Sequence, residues 1–251
     1  MNVQPPPATP EELRANLAEV RARIAAACRD AGRAAAEVRL LPVSKTWPVE
    51  TLRAAHAIGI DEFGENKVQE AQTKAEALAD LPLRWCVIGH LQVNKAKYVA
   101  RFAHEFQALD SLRVATELDR RLQAAGRGLD VFVQVNTSDE PQKYGIAPET
   151  ARDFLRELPA FSSLRVRGLM TLAVFDPDEA RVRACFRRLA RLRDELRQEV
   201  PDGIGLDELS MGMSSDFPIA IAEGATVVRI GQAIFGARTT PDSHYWPTIA
   251  A

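Results

Sequence analysis

Leu40-Leu41-Pro42-Val43-Ser44-Lys45-Thr46 brings a short apolar run, Val38 to Val43, to an end on a serine and a lysine. The run reads as a buried strand. A lysine just past its carboxyl end needs a partner or a lowered pKa if it stays out of water. Such a lysine is placed to act as an amine nucleophile that forms Schiff bases. The plainer reading is a strand that ends and lets its lysine reach water, as most lysines do. The rest of the chain decides between the two.

Working outward, strand-like and helix-like segments alternate. Before the run, Thr9-Pro10-Glu11-Glu12 has the composition of a helix start, and Leu13, Leu17, Val20, Ile24 and Ala27 recur at helical spacing until Gly32. After it, strands are expected at Ile60 to Phe63, Trp85 to Ile88, Phe106 to Leu109, Val131 to Val135, Val166 to Met170, around Leu209, and at Thr226 to Ile230. Helical patterns fall between them, the longest from about Pro177 to Val200. Eight strands with crossover helices imply a parallel sheet. In a chain of 251 residues this is the size of a single TIM (β/α)8 barrel with an extra N-terminal helix. A doubly wound open sheet is the alternative, because strand order is not encoded in the periodicity. The expected division is a disordered tail over residues 1–10, the barrel over 11–238 and a C-terminal tail over 239–251.

Composition narrows the function classes. Hydrophobic residues make up 46% and charged residues 26%, with a formal net charge of -2, so no global field favours nucleic acid or anionic membrane. Cys28, Cys86 and Cys185 form no CxxC pair, and the four histidines have no metal-ligand spacing. The proline-rich start lacks the pattern of a signal peptide, and no apolar run approaches the roughly 20 residues of a membrane span. A cytoplasmic protein without bound metal is expected. The helix carrying Arg181, Arg183, Arg187, Arg188, Arg191, Arg193 and Arg197 has an apolar stripe and no interleaved aromatics, so its arginines read as a solvated face.

The active site of such a barrel lies at the carboxyl ends of its strands. Those ends carry Ser44-Lys45, Glu65-Asn66, Gly89-His90, Asp110, Asn136, Met170-Thr171, Ser210 with Ser214, and Arg229 with Gly231. Polar turns are ordinary, and Asn66 with Gln69 could be no more than a helix-capping pair. The last two loops say more. Phosphate sites in this fold are commonly built after strands seven and eight, here Ser210-Met211-Gly212-Met213-Ser214 and Gly231-Gln232-Ala233-Ile234-Phe235-Gly236. Their glycines let backbone amides approach an anion, although neither is a Walker loop. Arg229 interrupts an apolar strand, where an unpaired guanidinium is expensive, and should face a ligand or partner in the barrel mouth. Lysine, phosphate cradle and inward arginine together describe a site for pyridoxal 5'-phosphate (PLP). The arginine would face the pyridine nitrogen, keep it unprotonated and so weaken the cofactor as an electron sink.

At these residues the chain resembles the pyridoxal phosphate homeostasis proteins (the YggS/PROSC family). The likeness runs from Val38 to Arg238. It is carried by Val43-Ser44-Lys45-Thr46, Phe63-Gly64-Glu65-Asn66 with Gln69-Glu70, and Ile88-Gly89-His90-Leu91-Gln92. Further motifs are Gln134-Val135-Asn136, Lys143-Tyr144-Gly145, Gly168-Leu169-Met170-Thr171, the Ser210 loop, and Val228-Arg229-Ile230-Gly231. The resemblance implies a fold like the N-terminal barrel of alanine racemase, Lys45 as the Schiff-base lysine, Arg229 at the pyridine nitrogen and Asn66 beside the ring. The expected PLP-binding set is Lys45, Asn66, Met170, Ser210, Met211, Ser214, Arg229, Gly231 and Gln232. Gln232 departs from the smaller residue common there, which puts any side-chain contact to phosphate in doubt. Only a short tail follows Gly236, so the second, tyrosine-bearing domain of racemases is expected to be missing and the cofactor open on one side. The implied role is a monomeric PLP carrier acting in PLP homeostasis or delivery to PLP-dependent apoenzymes, without robust catalysis. A weak amino-acid racemase or related lyase is the alternative, and a Schiff-base aldolase a further one.

Overall fold

Strands buried on both faces need helices over the outside and side chains within, and this chain meets both requirements by closing on itself. The computed structural model describes residues 9–236. Its strands are β1 (Arg39–Pro42), β2 (Glu62–Glu65), β3 (Arg84–Val87), β4 (Glu105–Leu109), β5 (Leu129–Gln134), β6 (Leu164–Met170), β7 (Glu208–Ser210) and β8 (Val227–Ile230). Every pairing is parallel, in the order β1-β8-β7-β6-β5-β4-β3-β2. The ring closes where Val43 bridges Gly64 and the Ser44 amide donates to Gly64 O at 3.0 Å. The expected barrel is therefore the observed one, and the open sheet is excluded.

The helices are α1 (Pro10–Asp30), α2 (Val49–His56), α3 (Val68–Ala77), α4 (Ala96–Phe102), α5 (Leu112–Ala125), α6 (Ala151–Glu157), α7 (Glu179–Leu196), α8 (Phe217–Ala222) and α9 (Gln232–Phe235). Helix α1 starts where its sequence suggested, and does so with a capping box: Glu12 N–H donates to Thr9 Oγ1, and Thr9 N–H to Glu12 Oε2. Pro10, assigned to the tail, is its first residue. The remaining tail positions before Thr9, and everything after Gly236 including Tyr245, lie outside the described residues.

Helix α1 and the residues that follow it brace the barrel from outside, at the site end through Asn16 and at the strand-start end through Arg33. Asn16 donates to Ile234 O at 3.0 Å, Arg33 to Ile221 O and Ala225 O at 2.9 and 2.8 Å, and Arg23 lies 4.8 Å from the Phe217 ring. These contacts grip α8 and α9, the two helices that follow the candidate phosphate loops.

At the end of the barrel opposite the site, five of the eight strands begin on charged residues: Arg39, Glu62, Arg84, Glu105 and Glu208. Arg39 donates two hydrogen bonds to Glu62 (2.8 and 2.9 Å) and two to Glu105 (3.0 and 2.8 Å), with Glu208 at 3.8 Å. Cys86 donates its thiol proton to Glu105 at 2.7 Å. Glu62, Cys86 and Glu105 have donor atoms within 4.8 Å of one another, but the Arg39 guanidinium forks into both carboxylates, so the group is an ion-pair plug.

The arginines of α7 are largely neutralised: Arg183 and Arg187 share Glu223, Arg188 meets Asp139 and Glu149, and Arg181, Arg193 and Arg197 meet Asp176, Asp194 and Asp207. No helix among the described residues is long and apolar enough to cross a membrane.

Candidate functional site

Lys45 lies beyond β1 at the second position of a four-residue turn closed by Trp47 N–H to Ser44 O at 3.1 Å. Thr46, the third position, has φ +72°, the sign a type II turn demands there. A β-branched residue rarely accepts that conformation. Lys45 is 8% exposed and Ser44 fully buried, so this lysine does not simply reach water.

Both neighbours of Lys45 are held by a buried ionic cluster. Lys74, on α3, donates all three of its protons: to Ser44 O at 2.9 Å, Glu65 Oε1 at 2.7 Å and Glu70 Oε1 at 2.7 Å. Ser44 Oγ donates to Glu65 Oε1 at 2.6 Å, and Thr46 N–H to Glu70 Oε1 at 2.6 Å. Burial pushes the Glu65 carboxyl from the ordinary 4.5 up to about 7, against the opposing pull of the Lys74 ammonium, and its second oxygen has no hydrogen-bond partner among the described residues. Between those two values the folded protein holds a proton that the unfolded chain has lost, so this group makes stability fall as pH rises from 4.5 to 7. Urea unfolding should show that slope in the wild type and lose it in Glu65→Gln. Parallel pH profiles would show that Glu65 ionises normally.

On β8, next to β1, Leu41 is in register with Arg229. The Arg229 guanidinium is 4% exposed and donates to Ser210 Oγ at 2.6 Å and Thr171 O at 2.8 Å. It makes no ion pair within 4.0 Å among the described residues. Burial lowers its pKa to about 10, with Asp216 acting the other way, so it stays protonated at neutral pH. The Ser210 hydroxyl proton goes to Gln107 Oε1 at 2.7 Å, because Gln107 Nε2 is committed to Glu105 at 2.6 Å. A chain of oriented hydrogen bonds thus runs from the Arg39 plug through Glu105, Gln107 and Ser210 to Arg229.

The sequence-derived residues fall on five adjacent strands, in ring order β2-β1-β8-β7-β6. Met170 and Ser210 are paired in register, and both are fully buried, as is Met211. Ser214 is half-buried in the turn before α8. Gly231 precedes α9, whose first intrahelical bonds come from Ile234 and Phe235 to Gly231 O, so the helix itself does not use the amides of Gly231, Gln232 and Ala233. The Gln232 side chain is exposed.

Three local readings change. Asn66 and Gln69 form no cap: α3 starts after Lys67, without a side-chain capping bond. Asn66 is set instead by the backbone of Gly89, where an added Cβ would stand 2.2 Å from Asn66 O. The Ser210 hydroxyl is spent on Gln107 and Arg229 rather than offered outward. Gly212 has φ +96° and is required by packing, since an added Cβ would meet Ala220 at 2.7 Å and the Phe217 backbone at 3.0 Å. Strand β2 also runs two residues further than expected, taking in Gly64 and Glu65.

The chain matches the family described as alanine racemase, N-terminal domain, over residues 12–239. The pyridoxal phosphate homeostasis protein of Pseudomonas aeruginosa is 45% identical over 223 residues, 89% of this chain and 94% of its own. This chain belongs to the pyridoxal phosphate homeostasis protein family. PipY of Synechococcus elongatus, solved with PLP bound, superposes with a TM-score of 0.78 at 36% identity, covering 89% of this chain and 100% of that one. An alanine racemase from Clostridium difficile shares the fold at a TM-score of 0.70 and 16% identity, covering 92% of this chain but 57% of its own.

Several residues of the family member's site carried no signal in its sequence. Lys74 resembled a solvated helix residue and Gln107 an ordinary residue of β4, whereas Glu65 was named as a strand-end and motif residue without its role. His90, named at the end of its strand, stacks on Tyr144 at 3.9 Å between ring centroids with 7° between planes. Lys143 donates to Ala173 O at 2.8 Å and pairs with Glu140.

Proposed function

We propose that the chain binds pyridoxal 5'-phosphate at the carboxyl mouth of the barrel as a Schiff base on Lys45, and serves as a carrier in PLP homeostasis rather than as an enzyme of robust turnover. One observation carries the reading: among the described residues, Arg229 is a buried guanidinium held by neutral acceptors alone, on the strand adjoining that of Lys45. A buried cation without an ionic partner fits a site that receives an anionic ligand with an acceptor atom in its ring. The PLP-bound relative PipY and the homeostasis proteins at 38–45% identity support the same assignment.

When bound, the cofactor supplies an aldehyde that condenses with a primary amine and releases water. Lys45 contributes that amine from a turn closed off from bulk water. Arg229 would donate toward the pyridine nitrogen and, staying protonated, would give that nitrogen no proton. The amides of Gly231, Gln232 and Ala233, with the Met211–Ser214 turn, would hold the phosphate. Met170 and Met211 would supply apolar surface to the cofactor, and Asn66, positioned by Gly89, would lie beside the ring. A permanently protonated donor at the pyridine nitrogen suits a cofactor that is stored rather than driven into carbanion chemistry. The aldolase alternative needs a carboxylate that substrate can reach, and Glu65 is fully buried behind Ser44 and Lys74.

With L-alanine in deuterated water, formation of D-alanine should stay below roughly 1 s⁻¹, the low end of ordinary enzymes. The loaded protein should reactivate an apo-aminotransferase, because a competing amine can take the aldehyde from Lys45. Chiral chromatography and the reactivation assay test both halves. Racemisation faster than that limit would move the assignment to the racemase alternative.

A further inference from the structure

We propose that Glu70 and Lys74 are positioning residues of the cofactor site, holding Thr46 in its left-handed conformation and so fixing the turn that presents Lys45. The inference rests on Lys45 being the residue that bonds PLP, and extends it to residues that do not touch the cofactor.

Three observations converge. First, the turn is the wrong one for its sequence. A positive φ at the third position is ordinarily met by glycine or asparagine, whereas here it falls on threonine. Second, the strained residue is held where it is strained. Thr46 N–H donates to the Glu70 carboxylate at 2.6 Å, a charge-assisted bond of the strong kind. Third, the clamp grips Lys45 from both sides. Lys74 ties Glu70 to Glu65 and takes Ser44 O at 2.9 Å, while Glu65 takes the Ser44 hydroxyl. Residues 44 and 46, which flank Lys45, are therefore fixed to one helix, α3, and to the end of β2. Strain that surrounding structure over-determines is a mark of a functional site.

The ion pairs alone would give a purely structural account, so the test must separate the two. Pyridoxine 5'-phosphate has the ring and phosphate of PLP but an alcohol in place of the aldehyde, and cannot bond Lys45. In Glu70→Ala, affinity for PLP, followed by the near-visible band of the lysine adduct, should fall about tenfold, the size of a left-handed penalty no longer offset. Affinity for pyridoxine 5'-phosphate, followed by tryptophan fluorescence, should stay within about twofold. Glu70→Gln keeps an acceptor for Thr46 N–H and should lose less. Thr46→Gly removes the strain itself, should fold readily, and in the Glu70→Ala background should restore most of the PLP affinity. Equal loss of affinity for both ligands, or no rescue by Thr46→Gly, would overturn the proposal. If the wild type gives no near-visible band with PLP, or Lys45→Ala retains it, the Lys45 reading fails, and this inference with it.

Discussion

Replacing Arg39 with alanine should cost the fold about 3 kcal/mol, the lower end of what breaking a buried ion pair costs. The guanidinium supplies four hydrogen bonds to Glu62 and Glu105. Its loss leaves Glu105, 5% exposed, with Cys86 and Gln107 as its side-chain donors among the described residues. The low end of the range is chosen because the Arg39 side chain is itself 31% exposed, so water can replace part of what is lost. Urea unfolding of Arg39→Ala measures the cost. Glu105→Gln in the same background removes the stranded charge and should recover a substantial part of it. A loss below about 1 kcal/mol would put the pair in the class of surface salt bridges and remove the plug from the account of the barrel's closed end.

The second large effect is expected at the other end of the hydrogen-bond chain. Arg229→Glu should weaken PLP binding about 100-fold, within the range for removing one partner of a buried charged contact. Ser210 could turn its hydroxyl toward a carboxylate, but Thr171 O has no proton to give, and Asp216 adds a like charge nearby. A carboxylate beside the pyridine nitrogen would also raise that nitrogen's pKa and favour its protonation, altering the absorbance of any protein that still binds. Arg229→Gln keeps a donor without the charge and should fall between the two. Absorbance titration gives affinity and spectrum together, with thermal melting as the control for folding. Unchanged affinity and spectrum in both variants would show that Arg229 does not face the ring.

The barrel and the centre of its site were legible for local reasons. Buried parallel strands leave apolar runs, the crossover helices leave a 3.6-residue stripe, and a lysine or arginine interrupting such a run is conspicuous. Lys45 and Arg229 were found that way, and the strand order makes their strands neighbours. What escaped was set by partners distant in sequence. Ser210 looks like a phosphate hydroxyl until Gln107, 103 residues away, is seen to take its proton. Glu65 looks like a turn residue because its neutralising partner, Lys74, sits on the following helix with an aliphatic stem that periodicity cannot distinguish from a solvated one. Strand β2 was placed two residues early for the same cause: glycine and a buried glutamate read as the end of a strand, although Gly64 is the residue that pairs with Val43 to close the barrel. Gly212 carries a second demand that its sequence did not show: packing against α8 requires a glycine there in its own right.

Borohydride reduction of the PLP-loaded protein, followed by digestion and mass mapping, tests the central claim most directly. Reduction freezes the lysine adduct wherever it has formed, independently of any activity. The account predicts a pyridoxyl group on the peptide that contains Lys45 and on no other. An adduct on Lys74, Lys95 or Lys143 instead, or a protein that takes up no label after incubation with PLP, would contradict it.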